Sequence, residues 1–241
     1  FAGCSDEQSE TVAESSEGGT YQERLNATAK QFAYFQLWSE NLKGVRWESQ
    51  GVSLRVPKPF EWVPSPAPTN LSQAHVPSQE VLGEPLPGVL GMWKAKLPGA
   101  DSATSESAYL FVMSNQHFPP ARRRDALAFQ QTLIEDVLAR LPGLNNKLPI
   151  DSEWKSTGVL GHGLPYTMGT FRATLAETKK PADFTLYLMQ NGDNDRHDEI
   201  KVAMLFVVPL DVQLKGSRPD VDPQKLSAET LRIALPPGED S

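Results

Sequence analysis

The chain has 241 residues, 39% of them hydrophobic and 22% charged, so it holds enough apolar material to fold over most of its length. Its net charge is -7, and five of the excess negatives (Asp6, Glu7, Glu10, Glu14 and Glu17) fall between residues 5 and 19, where there is no Lys or Arg. The remainder is near neutral, which excludes the broad basic face that nucleic-acid binding requires, and the single cysteine, Cys4, excludes a disulfide within the chain.

The first four residues are Phe1-Ala2-Gly3-Cys4. They resemble the lipobox that closes a bacterial lipoprotein signal peptide, with Phe1 where Leu is usual. The resemblance implies that Cys4 carries a diacylglyceryl group and becomes the mature N-terminus. It further implies attachment to a membrane of the bacterial cell envelope, and Ser5 after the cysteine favours the outer membrane. The longest apolar run, Val202–Leu210, has nine residues, whereas a helical span needs about 20. Residues 5–19 are rich in Ser, Glu and Gly and cannot bury enough apolar surface to offset the entropy of ordering. They are expected to be a disordered acidic tether that lets a lipid-anchored domain stand off the bilayer.

Folded structure is expected from residue 20 to 241, as a single domain. Thr20-Tyr21-Gln22-Glu23 reads as a capping box and starts a helix predicted over Tyr21–Lys43, with Gly44 as its C-terminal cap. Leu25, Ala29, Phe32, Ala33, Leu37 and Leu42 share one helical face, broadened by Phe35 and Trp38. Val45–Glu48 and Gly51–Val56 read as strands about a turn at Ser49-Gln50-Gly51. Nine of the 20 prolines then fall between Pro57 and Pro98, which predicts a largely irregular loop, either functional or wrapped over the core.

Strands are predicted at Met92–Leu97 and Ala108–Ser114, and a helix from Asp125 to Leu141 with an apolar stripe of Leu127, Ile134, Val137, Leu138 and Leu141. Four further strands follow: Trp154–Leu160, Tyr166–Leu175, Phe184–Gln190 and Glu199–Val208. The last two flank Asn191-Gly192-Asp193-Asn194-Asp195, a hairpin turn signal. A short helix is predicted over Leu226–Leu235. Consecutive strands with short turns imply an antiparallel sheet covered by helices, an α+β fold. The Val52–Phe60 segment and the order of elements are similar to PsbP-like domains, which serve as accessory or assembly proteins and small binding proteins. That resemblance brings no functional motif with it.

Signals for chemistry are sparse. Asn191, Asp193, Asp195, Asp198 and Glu199 resemble the start of a calcium loop, but Arg196 stands where an EF-hand needs Gly, and Val202 where it needs Glu. Between strands, a solvated hairpin tip explains them better. His75, His117, His162 and His197 show no metal-ligand spacing, so no metal and no cofactor are expected. His162 lies between Gly161 and Gly163, where it could act as a base or mark a bulge. Arg122-Arg123-Arg124 precedes a helix, where cations oppose the macrodipole; they read as a contact for anions or lipid headgroups, or as a solvated loop. Trp38, Trp47, Trp62 and Trp93 fall in the first half. Phe60 and Trp62 could line a ligand groove, or simply pack in the core.

The sequence therefore points away from an enzyme and towards a non-enzymatic, lipid-anchored envelope protein that binds a protein partner. The alternatives are a small-ligand carrier with a pocket under residues 57–98, and a hydrolase-like enzyme with a site near His162.

Overall fold

The computed structural model describes residues 20–64, 77–99, 104–117, 126–144, 164–191 and 200–234. The chain divides between Gln36 and Leu37 into two compact units.

Helix α1 spans Tyr21–Asn41 and begins with the capping box expected of it. The Thr20 backbone N–H donates to Glu23 Oε2 at 2.6 Å, and the Glu23 N–H donates to Thr20 Oγ1 at 3.3 Å. Within residues 20–36, Tyr34 alone is buried. Leu25, Phe32 and Phe35, expected on a core face, are 45%, 69% and 43% exposed. This stretch therefore buries no continuous apolar stripe. Gly44 does not cap the helix either, since its φ is not left-handed. The helix stops at Asn41 because strand-like pairing takes over. Leu42 bridges Pro57, and the Lys43 N–H donates to the Val56 carbonyl at 2.8 Å.

The second unit is α+β, built on a six-stranded antiparallel sheet. Its strands are β3 (Glu61–Trp62), β4 (Val89–Pro98), β5 (Ser105–Ser114), β6 (Tyr166–Thr174), β7 (Pro181–Asn191) and β8 (Ile200–Pro209). They lie in the order β3-β4-β5-β8-β7-β6, so the β6-β7-β8 meander returns to place β8 beside β5. Central strands covered on both faces read as continuous apolar runs, and β8 is buried from Val202 to Pro209. A second sheet, in the order β1-β2-β9, consists of β1 (Trp47–Ser49), β2 (Val52–Leu54) and β9 (Arg232–Ile233). Gln50 and Gly51, with φ of 47° and 74°, join β1 to β2 as a two-residue turn of the kind that matches strand twist.

Each face of the large sheet carries its own core. One face packs Phe111, Phe184 and Leu205 with Val81 and Leu82 of α2 (Pro77–Leu82), and with Phe129, Leu133 and Leu138. Those last three lie on a continuous helical run: α3 (Ala126–Gln131), a π segment (Thr132–Val137) and a 3-10 turn (Leu138–Arg140). The opposite face packs Leu110, Met204 and Phe206 with Val52, Leu54 and Ile233 of the small sheet, and with Ala228 of α4 (Pro223–Glu229).

Two expectations are corrected. The final helix is α4, which ends at Glu229, and Arg232–Ile233 is a strand on β2 instead of helix. Its start is set by Asp222, whose side chain accepts the Gln224 N–H at 2.8 Å, and by Pro223 in the first turn. The proline-rich stretch is also less irregular than expected, containing β3, α2 and the first residues of β4. The strand expected at Trp154–Leu160 lies outside the described residues.

Candidate functional site

Three indoles converge where the two sheets approach each other. Trp62 of β3 is the cross-strand partner of Trp93 on β4, with ring centroids 5.0 Å apart in an edge-on arrangement. Trp47 of β1 meets Trp93 edge-on at 4.9 Å and lies 6.1 Å from Trp62. These spacings are those of favourable aromatic pairs. The floor of the cluster is Gly91. A Cβ there would lie 2.6 Å from Trp93, 2.9 Å from Trp47 and 2.9 Å from Trp62, so only glycine leaves room for all three rings. The pairing of β4 with β5 shifts register between Val89 and Gly91, next to the cluster.

The cluster grades from core to solvent. Trp93 is buried, Trp47 is half-buried, and Trp62 is 44% exposed. Glu61, its neighbour on the two-residue strand, is exposed and pairs with Lys43 at 2.9 Å. Among the described residues no strand pairs with the outer edge of β3. An indole fixed by two others, beside an open strand edge, is a rigid apolar anchor with a polar tip. It can be offered to a partner at little entropic cost.

The residues singled out by sequence are not all brought together. Phe60 has no exposed surface and packs edge-on against Phe206 at 6.1 Å, so it belongs to the core rather than to a groove wall. The residue after Pro57-Lys58-Pro59 turns inward because its backbone N–H closes a turn on the Pro57 carbonyl. The Arg55 guanidinium lies 6.0 Å from the Trp38 ring centroid. Cys4, His75, Arg122, Arg123, Arg124, His162, His197 and the acidic residues from Asp193 to Glu199 lie outside the described residues, as does the His117 side chain. Asn191 is described, and its side-chain amide donates to the Ile233 carbonyl at 2.8 Å, tying β7 to β9. Among the described residues, no group of three His, Cys, Asp or Glu side chains is placed to hold a metal ion.

A second polar group lies on the far side of the large sheet. The Tyr109 hydroxyl donates to Glu177 Oε2, and Lys94 Nζ lies 3.6 Å from Glu177 Oε1 and 5.3 Å from the Tyr109 ring centroid. Burial, then the Glu177 carboxylate, push the Tyr109 phenol well above its ordinary range. A phenol held protonated in this way is no base. The arrangement ties the β6-β7 turn to β4 and β5.

The chain matches no family model and no curated protein sequence.

Proposed function

We propose that this protein is a lipid-anchored component of a bacterial cell envelope that acts without catalysis, as an accessory module holding a protein partner through the surface centred on Trp62. The observation that carries the binding reading is the convergence of Trp47, Trp62 and Trp93 on Gly91, with Trp62 left 44% exposed at an edge strand. Aromatic side chains in rigid surroundings are where interfaces concentrate their binding energy. The anchor rests on the likeness of Ala2-Gly3-Cys4 to a lipobox, and on the acidic, Ser- and Gly-rich stretch that follows it. Ser5 favours the outer membrane. The α+β class is one that PsbP-like domains share, and an accessory role agrees with that likeness.

Two measurements on protein recovered from native membranes test the reading. Mass spectrometry of the N-terminal peptide is expected to find diacylglyceryl on Cys4; an unmodified thiol removes the anchor. A photo-reactive residue in place of Trp62 is expected to give one dominant crosslinked protein. A replacement at Arg172, an exposed residue on β6 paired with Asp183 at 2.9 Å, is expected to give none. Equal yields at the two positions remove the docking surface. Crosslinking to a small molecule instead would turn the reading towards a ligand carrier.

A further inference from the structure

The small sheet has a second face. Side chains alternate along a strand, so the neighbours of the half-buried Trp47 and the buried Val52, Leu54 and Ile233 point the other way. The register pairs Glu48 with Ser53, and Ser53 with Arg232. Arg46 and Arg55 flank the same ladder one residue before β1 and one after β2. This outer face therefore gathers three guanidinium groups and one carboxylate, Glu48.

Two of the arginines are held in place. Arg46 Nη1 donates to the Thr230 carbonyl at 2.7 Å and to Ser53 Oγ at 3.2 Å. Arg55 Nη1 donates to the Gly44 carbonyl at 2.8 Å, and its ring-facing side lies over Trp38. Carbonyls fix a guanidinium without neutralising it. Among the described residues, no carboxylate comes within ion-pair distance of Arg46, Arg55 or Arg232, and Arg55 Nε is buried without an acceptor. Arg232 is exposed. Burial first, and then the charges of Arg232 and Arg55, draw Arg46 below the ordinary arginine range, while Glu48 acts in the opposite sense. Like charges gathered on one face, with donors to spare, favour an anion that offsets them.

We propose that Arg46, Arg55 and Arg232, with the Ser53 hydroxyl, form a binding site for a phosphate-type oxyanion on the outer face of the small sheet. Three guanidinium groups against one carboxylate leave two positive charges, which suits a dianion better than a monocarboxylate. The forked donors of arginine match tetrahedral oxyanions. The phosphate can belong to a soluble phosphomonoester or to a lipid headgroup that ends in a phosphomonoester, and both offer the same three terminal oxygens. This proposal stands independently of the Trp62 surface and of the lipid on Cys4.

The test uses the full isotope-labelled chain and inorganic phosphate at constant ionic strength. Saturable amide shifts are expected at Arg46, Ser53, Arg55 and Arg232, with much smaller ones for acetate. Arg232→Gln removes a charge with no structural partner, so the fold should survive, and it is expected to weaken phosphate binding about tenfold, the usual effect of losing one charge-assisted contact. Arg172→Gln is expected to leave binding unchanged. Co-sedimentation with vesicles of phosphatidylcholine containing phosphatidic acid distinguishes the sources. Arg232-dependent sedimentation that inorganic phosphate competes away assigns a headgroup. Phosphate binding with no sedimentation assigns a soluble ligand. Shifts that are absent, scattered over the surface, or undiminished in Arg232→Gln overturn the site.

Discussion

The two faces of the small sheet differ as sharply as any two regions of this molecule, although they are built from alternating residues of the same three strands. The inner face, with Val52, Leu54 and Ile233, is buried against the large sheet. The outer face carries Arg46, Arg55 and Arg232 around Ser53. Apolar burial is non-directional and tolerates any well-shaped neighbour. Clustered charge is tolerated only where each group finds donors, acceptors or a counter-ion. A face that holds two of its guanidinium groups on carbonyls and leaves their charge standing is therefore poised to bind an anion, whereas the face behind it is committed to stability.

Substitutions can break this contrast in a graded way. The largest effect is expected on the inner face. Leu54→Ala opens a cavity at a fully buried position, and should lower the unfolding free energy by about 2–5 kcal/mol in urea titrations monitored by circular dichroism. Next is Gly91→Ala, whose new methyl would press on three indoles; about 1–3 kcal/mol is expected, with a red-shifted tryptophan emission as the cluster opens.

A third effect is pH-dependent. Burial, and then Asp222, Tyr166 and Glu229, raise the Tyr187 phenol above its ordinary value of 10.0. The unfolded phenol ionises above that value while the folded one keeps its proton. The unfolded chain then binds fewer protons, so stability falls as pH rises. The loss approaches about 1.4 kcal/mol per pH unit for this one group. Tyr187→Phe is expected to flatten that part of the alkaline slope, read from urea midpoints between roughly pH 8 and pH 11. The smallest effect on stability belongs to the outer face. Arg232→Gln should change it by less than about 0.5 kcal/mol. A large loss there would make the arginine face structural.

Much of the secondary structure could be read locally. The capping box at Thr20 and Glu23, the Gln50-Gly51 turn, and strands β4 to β8 all carry their signals within a few residues, because caps, turns and burial patterns are short-range. The misreadings share a physical cause. Residues 232–233 look helical next to α4, but pairing with Val52 and Ser53 makes them a strand. Glu61 and Trp62 look like irregular chain among prolines, but the open edge of β4 recruits them. The apolar residues of α1 looked like a core stripe, yet Leu25 and Phe32 are exposed.

The sequence by itself determined the α+β class, the start of α1 and the main strands, since each depends on residues close together along the chain. Only the tertiary structure decided that Trp47, Trp62 and Trp93 would meet over Gly91, and that Arg46, Arg55 and Arg232 would share one face. Those groupings depend on strand register and sheet order. Both are set by the balance of burial over the whole unit, which no local pattern encodes.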